Sequence, residues 1–256
     1  MKIKTEKLSA DILIGKPEGY TNRRDVMIHE IKGVDIEYIS IKGPQQFREM
    51  PGPNHYDVLL LLSGNAKLSI RGDEYSVNGN YIIKIPHDTE YAIRIESGSE
   101  FNYLIIRKSL DEKDRQLIVK DKGNHQTLYL KALSDCPTYK EDIKSEKTLS
   151  RMILPDGMVP RFCMGSVETK GPDEVTEHHH LMLDQLFFGL PGCQCNCHAD
   201  SYSALLTENV LLHIPLGSMH SVSVSEGNKL AYIWMDFFLT LEGQQYMGKQ
   251  HRMDEE

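Results

Sequence analysis

Residues 178–185 read HHHLMLDQ and residues 215–220 read PLGSMH, and these two stretches carry most of the structural information in the chain. His178 and His180 are two residues apart, so on a β-strand both imidazoles leave the same face and can chelate one ion. The Pro/Gly turn of the second stretch brings in His220 from a different strand. Together the two stretches predict three imidazoles at one site.

Gln185 is a candidate fourth ligand, because it follows His180 along the same strand or just past a bend. Three imidazoles and one oxygen suit a borderline divalent ion such as Zn, Ni, Fe, Mn or Cu. Such a set leaves one or two coordination positions for water or substrate, as catalytic sites do. A second interpretation makes Gln185 a hydrogen-bond partner of a ligand histidine. We predict one divalent transition metal ion on these ligands: His178, His180, Gln185 and His220.

The order and spacing of these residues resemble the two motifs of the cupin superfamily, G-(x)5-H-x-H-(x)3,4-E-(x)6-G and G-(x)5-P-x-G-(x)2-H-(x)3-N. The matching positions here are, in order, Gly171, His178, His180, Gln185, Gly192, Asn209, Pro215, Gly217, His220 and Val224. Gln185, Asn209 and Val224 stand where cupins have Glu, Gly and Asn, and one extra residue follows Gly171. The resemblance implies an antiparallel β-barrel with metal ligands pointing into its mouth. It does not imply one reaction, since cupins include isomerases, dioxygenases, lyases and binding proteins.

A second, partial copy of this pattern lies about half a chain length nearer the N-terminus. Gly64, Pro86 and Tyr91 lie 128 or 129 residues before their counterparts. In that copy Asp57 takes the place of the amide ligand, Tyr91 replaces the last histidine, and residues 49–53, where the histidine pair would fall, contain no histidine. We therefore expect an all-β fold of two tandem antiparallel cupin (jelly-roll) β-barrels, with the metal in the second barrel and the first kept as a scaffold.

Short alternating apolar and polar runs predict where each barrel begins and ends. They place an N-terminal degenerate barrel at 1–107 and a C-terminal metal-type barrel at 151–240. A strongly charged linker with some secondary structure is expected at 108–150, and a polar tail at 241–256, either a short helix or a frayed end.

The composition and the net charge limit which binding partners and which cellular compartment are expected. The 256 residues carry a net charge of −8, which argues against nucleic acid or an anionic membrane as partner. No apolar run resembles a signal peptide or a bilayer span. Five cysteines, an odd number, do not resemble a secreted disulfide framework, so we expect a cytoplasmic protein. The expected partners are a small-molecule ligand and a second copy of the chain, because barrel edges often pair across a two-fold axis.

Candidate substrate-binding residues lie on two further segments. Arg161, before the ligand stretch, can pair with a substrate carboxylate in bidentate geometry, or it is a solvated surface residue. In residues 193–198 three cysteines alternate with Gln194, Asn196 and His198, so the two sets face opposite ways on a strand. If the polar set faces inward, it can hydrogen-bond a polar substrate beside the metal. The cysteines then remain either small buried hydrophobes or a separate soft-metal or redox site.

The functional hypothesis is a metal-dependent enzyme, an isomerase or a dioxygenase, acting on a small oxygenated substrate such as a carbonyl compound or a sugar acid. The tandem arrangement, with one site in the second barrel, is similar to the uronate ketol-isomerases. No catalytic residue beyond the metal ligands is identified. The alternative is a non-catalytic protein that binds or senses a small ligand such as a sugar. A third possibility is an oligomer scaffold.

Overall fold

The computed structural model describes residues 2–248 and 252–253. The chain divides into two compact units, each built from antiparallel sheets. The N-terminal unit is Ser9–Asp135, and the C-terminal unit comprises the residues up to Leu8 together with those from Cys136 onward. The predicted all-β class of two tandem barrels is confirmed. The charged segment 108–150 is divided between the two units, because its strands pair within both sheet systems.

The strand nearest the N-terminus, β1 (Lys4–Lys7), belongs to the C-terminal unit. It pairs antiparallel with residues 210–213, so that Lys4 lies opposite His213. The sequence pattern predicts a single domain over residues 1–107. The structure differs because pairing between strands so far apart along the chain leaves no local pattern in either strand.

The N-terminal unit consists mainly of strands, with short helical segments near its ends. Its helical segments are the 3-10 helices Ala10–Leu13 and Leu133–Asp135, α1 (Glu112–Lys120) and α2 (Lys122–His125). Its strands are β2 (Thr21–Val26), β3 (Val34–Lys42), β4 (Gln45–Glu49), β5 (His55–Ile70), β6 (Asp73–Asn78), β7 (Tyr81–Lys84), β8 (Tyr91–Ile95), β9 (Glu100–Ser109) and β10 (Tyr129–Ala132). The main path of its sheet runs β10-β7-β5-β9-β3-β2, and β5 also pairs with β6 and β8.

The long strand β5 joins the two faces of this barrel. Its first part pairs with β7 and β9, and its last part with β6 and β8. The change of partners follows a bulge between Leu61 and Ser63 and occurs around Gly64, which has a φ of +86°. A Cβ atom on Gly64 would lie 1.8 Å from the carbonyl oxygen of Glu100, so only glycine allows the two backbones to approach here. The barrel interior is filled by apolar side chains of both faces, including Ile41, Leu59 and Ile93.

The C-terminal unit has a second pair of sheets. Besides β1, its elements are β11 (Thr138–Lys140), β12 (Leu149–Val159), β13 (Phe162–Lys170), β14 (Asp173–His178), β15 (Leu183–Gly189), β16 (Gln194–Ala199), β17 (Tyr202–Thr207), β18 (Val210–Ile214), β19 (His220–Val224), β20 (Lys229–Phe238), α3 (Leu241–Gly248) and β21 (Arg252–Met253). One sheet has the order β1-β18-β15-β20-β13-β12-β11-β21, and the other has the order β14-β19-β16-β17. In the described residues, no helix combines the length and the apolar character needed to cross a membrane.

The predicted polar tail is partly helical. Within α3, Gln244 is buried and its amide bonds to the β12–β13 hairpin, accepting from the backbone N–H of Arg161 at 2.7 Å and donating to two carbonyls, those of Val159 and Phe162. These bonds fix α3 against the barrel. Residues 249–251 and 254–256 of the predicted tail lie outside the described residues.

A buried lysine in the N-terminal unit leads to a first prediction. Lys84 is 1% exposed, and its Nζ donates to the carbonyl of Asn124 at 2.7 Å. Burial lowers the pKa of this ammonium to about 8, whereas an unfolded chain keeps the proton to about pH 10. Above pH 8 the unfolded state therefore binds more protons than the folded state, and stability rises with pH.

We expect the stability difference between the wild type and a Lys84→Met variant to shift in favour of the wild type by about 1 kcal/mol between about pH 7 and about pH 9. Urea unfolding of both proteins at the two pH values measures this shift. An unchanged difference would mean that Lys84 titrates normally in the folded protein. Lys131→Met, on an exposed side chain of β10, is the control.

Candidate metal centre

His178 and His220 lie opposite each other at the ends of two paired strands. His178 is the last residue of β14 and His220 the first of β19, and the two are register partners with ring centroids 4.2 Å apart. His180 follows β14 in a non-strand segment, with its ring centroid 5.0 Å from that of His178 and 5.5 Å from that of His220. One ring nitrogen of each of the three lies within 4.8 Å of the other two. His178 and His180 therefore converge at a strand end, whereas their spacing predicts that both lie along one strand.

Gln185 reaches the same cavity from the other sheet. It lies on β15, and its side chain is 6% exposed. Its Nε2 donates to Oδ1 of Asp236 on β20 at 2.7 Å. A carboxylate only accepts hydrogen bonds, so this contact fixes which end of the amide is nitrogen. The buried Oε1 of Gln185 has no hydrogen-bond partner in the described structure.

Backbone carbonyls hold two of the imidazoles in one tautomer. Nδ1 of His178 donates to the carbonyl of Thr176 at 2.7 Å, and Nδ1 of His220 donates to that of Ser218 at 3.0 Å. The lone pair of each ring is therefore on Nε2, the form that ligates metals. Burial lowers the pKa of both histidines. The neighbouring His178 lowers the pKa of His220 further, to about 4. Both rings are neutral at neutral pH.

These donors fit a metal ion. Buried polar atoms are almost always hydrogen-bonded, yet Nε2 of His220 and Oε1 of Gln185 are buried without a partner among the described residues. Both belong to residues that line one cavity. A cation between them would satisfy both lone pairs. The set of three neutral imidazoles and one amide oxygen suits a borderline divalent ion better than Mg²⁺ or Ca²⁺.

The cavity around the triad has a volume of about 420 Å³, part of it open to solvent. Its lining includes three charged side chains that sequence reasoning missed, Glu141, Lys144 and Asp236. Nζ of Lys144 donates to the hydroxyl of Tyr139 at 2.7 Å and forms an ion pair with Glu141. Burial lowers the pKa of Lys144, an effect that Glu141 opposes.

A wider outer pocket of about 770 Å³, also partly open to solvent, shares several lining residues with this cavity. Met247, on α3, lines both spaces, and Tyr246 lines the outer one. The segment 140–143 forms another part of the outer wall. Residues assigned from sequence to a linker and a tail thus line the approach to the triad.

The predicted substrate-binding residues lie elsewhere. The side chains of Gln194, Asn196 and His198 are exposed on β16, and none of them lines the cavity. The condition for their predicted role, that this set faces inward, is not met, because the cysteines between them are buried inside the barrel. Arg161 lies in the β12–β13 turn with a φ of +59°, and its Nη1 is 3.5 Å from the carbonyl of Leu239. It is not among the cavity-lining residues either.

Cys193, just before β16, and Cys195 and Cys197 on that strand are all buried and free. The Sγ atoms of Cys193 and Cys195 are 3.7 Å apart. The hydrogen bond with Cys195, and after it burial, raises the pKa of the Cys193 thiol. The same bond lowers the pKa of Cys195, but the hydrogen bond with Cys197 and burial outweigh it, so this pKa is also raised. Within the described residues, the metal-type grouping of side chains is the histidine triad, and these cysteines are not part of it. They behave as small core residues.

The corresponding place in the N-terminal unit holds a charge cluster. The hydroxyl of Tyr91 donates to Oδ2 of Asp57 at 3.0 Å, and Nε of Arg107 lies 3.7 Å from Oδ1 of the same carboxylate. Arg107 also pairs with Glu37 and Glu49. Burial raises the pKa of Asp57, and Arg107 opposes this. A guanidinium therefore serves as the cation in this unit.

Comparison with known proteins identifies the fold. No protein-family model matches the sequence, and no curated protein matches it significantly. A solved structure from Pseudomonas aeruginosa, described as a glyoxylate-induced protein, has a TM-score of 0.71 at 10% identity, over 84% of this chain and 80% of that one.

Two further solved structures show the same likeness. A cupin 2 conserved barrel domain protein from Leptotrichia buccalis has a TM-score of 0.62 at 12% identity, over 91% of this chain and 96% of that one. A mutant oxalate decarboxylase from Bacillus subtilis has a TM-score of 0.61 at 11% identity, over 87% of this chain and 74% of that one. At such identities the likeness concerns the fold, and it extends over both units. The two units of this chain therefore have the fold of cupin barrels.

Proposed function

We propose that the C-terminal unit binds one divalent transition metal ion, and that the protein is a metal-dependent enzyme acting on a small oxygenated anion by isomerisation or oxygenation. The proposed ligands are His178, His180, Gln185 and His220. The main support is the triad, with its ring nitrogens within 4.8 Å of one another, together with the two buried acceptor atoms that lack partners.

The charges around the site favour an anionic substrate. All four proposed ligands are neutral, so the ion would keep its double positive charge. Lys144 adds a positive charge on the cavity wall, and the carboxylates of Glu141 and Asp236 offset only part of the total. When bound, the ion would supply Lewis-acid chemistry to a carbonyl or hydroxyl group.

The chain's own residues supply positioning and a route for protons. The aromatic side chains of Phe187, Tyr232 and Trp234 line the inner cavity and make this part of its wall largely apolar. Lys144 and Glu141 form a partly buried acid–base pair beside the triad, where they can exchange a proton with a bound substrate. The name of one structural neighbour, oxalate decarboxylase, refers to a small carboxylic acid, which agrees with this substrate class.

The second candidate is a non-catalytic protein that binds a small ligand. It is favoured by Gln185, because an amide oxygen binds a metal ion more weakly than the carboxylate usual in cupins. A site with low metal occupancy would still leave a pocket of about 770 Å³ for a ligand such as a sugar.

Elemental analysis distinguishes the two candidates. Protein purified without added metal is expected to contain about one transition metal ion per chain, and removal of the ion by a chelator is expected to lower the thermal unfolding midpoint. A protein that contains no metal, and whose midpoint does not rise when Zn, Ni, Fe, Mn or Cu is added, would contradict the metal proposal. Sugar binding by that metal-free protein would then support the second candidate.

A further inference from the structure

Asp236 is buried behind the proposed amide ligand. It is 3% exposed and lines the cavity, within a strand that is otherwise apolar from Leu230 to Phe238. It lies opposite Gln185 in the pairing of β15 with β20, and its Oδ1 accepts the 2.7 Å hydrogen bond from the amide. Its carboxylate is not part of the group whose donor atoms lie within 4.8 Å of one another. Asp236 is therefore placed to act through Gln185 and not as a direct ligand.

We propose that Asp236 is a positioning residue for the metal centre, holding the amide of Gln185 with its oxygen toward the ion and supplying the negative charge that the ligand itself lacks. This inference rests on the proposed metal site. A carboxylate that accepts a hydrogen bond from a ligand polarises that ligand and strengthens it as a donor, as carboxylates do behind ligand histidines. The negative charge then lies on Asp236, which contacts the ligand Gln185 and not the ion itself.

The N-terminal unit provides an internal comparison. Asp57 and Arg107 are register partners there, as Gln185 and Asp236 are in the C-terminal unit. Each pair joins a residue at the ligand position to a complementary group on the neighbouring strand, carboxylate with guanidinium in one unit and amide with carboxylate in the other. In both units, the residue on the neighbouring strand is thus complementary to the residue at the ligand position.

This complementarity explains why the chain has glutamine at position 185. A glutamate there would place two carboxylates at the distance of the present hydrogen bond, where like charges repel strongly in a buried site. The two must share a proton, and a metal ion would have to displace it. A carboxylate at position 185 should therefore bind metal well only when position 236 is neutral.

Four proteins test the proposal: the wild type, Asp236→Asn, Gln185→Glu, and the double variant, which exchanges the carboxylate and the amide. The affinity of each metal-free protein for Zn²⁺ is measured by competition with a chromophoric chelator. Asp236→Asn is expected to bind at least about tenfold more weakly than the wild type. In the double variant the affinity is expected to return to within about threefold of wild type, or better.

The coupling between the two positions is the decisive quantity. Gln185→Glu is expected to improve Zn²⁺ binding at least about tenfold more in the Asp236→Asn background than in the wild-type background. The d–d absorption of bound Co²⁺ should change in Asp236→Asn and recover in the double variant, which a purely structural role would not produce. Asp184→Asn is the matched control, because Asp184 is on the opposite face of β15, with Oδ1 3.5 Å from Nε2 of His213.

The outcomes separate the two proposals. Failure of the wild type to bind Zn²⁺ and Co²⁺ would overturn the proposed metal site. Binding by the wild type with equal effects of Gln185→Glu in both backgrounds would overturn only the role of Asp236. Because Asp236→Asn changes a buried group, the thermal midpoints of all the metal-free proteins are compared. If that single variant is unstable, the double variant is compared with Gln185→Glu, and equal Zn²⁺ affinities of these two proteins would overturn the role of Asp236.

Discussion

His220→Ala is expected to abolish stoichiometric metal binding while leaving the metal-free protein nearly as stable as the wild type. His220 is the most buried imidazole of the triad, at 2% exposed, and the Nε2 atom it would offer the ion has no other partner in the described structure. Losing residues that only support a ligand costs about 10-fold to 100-fold in metal affinity, so losing the ligand itself should cost about 100-fold or more.

The metal-free variant should be only slightly affected, because two effects oppose each other. Truncating His220 leaves a cavity and removes the hydrogen bond from its Nδ1 to the carbonyl of Ser218, and both losses are destabilising. The same truncation removes a buried acceptor that has no partner, and this relieves a desolvation cost. Without metal, the net change in the free energy of unfolding should therefore be small.

Thermal unfolding with and without metal measures both parts of this expectation. At a metal concentration about 100 times its dissociation constant, the wild type should gain about 2.7 kcal/mol of stability, and His220→Ala should gain almost none. His198→Ala, on the exposed face of β16, is the matched control and should behave as the wild type. An equal metal-dependent gain in His220→Ala would exclude this residue as a ligand.

Gly165→Ala is expected to destabilise the C-terminal unit by about 3 kcal/mol. Gly165 on β13 lies opposite Trp234 on β20, and the indole covers the glycine. A Cβ atom at this position would lie 2.2 Å from Cζ2 of Trp234. The ring would have to move, and its Nε1 would lose the 3.0 Å hydrogen bond to the hydroxyl of Tyr139.

The same change should alter the cavity, because Trp234 lines it and Tyr139 also accepts the hydrogen bond from Lys144. Urea unfolding measures the loss of stability. Adding Trp234→Phe, which removes the atoms nearest the new methyl group, should recover part of that loss, whereas independent sites would give additive effects. Gly123→Ala is the control, since a Cβ atom there meets nothing within 4 Å. An unchanged unfolding curve for Gly165→Ala would show that the indole can move freely.

The sequence was sufficient for the all-β class, the tandem arrangement and the grouping of the three histidines. These depend on local spacing, since alternation along strands and the turn at Pro215–Gly217 are visible in short segments. The bulk of the cavity wall was not predictable. Glu141 and Lys144 lie in a charged segment with no recognisable spacing, and only the pairing of that segment with the barrel brings them to the triad.

Asp236 and the segment 193–198 differ in how clearly the sequence indicates their place in the fold. Asp236 is an isolated carboxylate in the apolar run of β20, and a charge in such a run indicates a buried partner. The inward face of residues 193–198 could not be chosen from alternation alone, since alternation separates two sets without saying which is inside. The packing of the thiols against Tyr232 and its neighbours decides it.

Because β1 and its partner β18 are separated by some 200 residues along the chain, the ribosome must synthesise all of the intervening polypeptide before this edge of the sheet can close. At ordinary elongation rates the interval is about 10 to 40 seconds. During that time the nascent N-terminal segment is an unpaired strand, available to chaperones and to mispairing. Both β1 and the residues from Cys136 onward must therefore be present before the metal-type barrel is complete, so a fragment that begins at Cys136 would lack one of this barrel's strands.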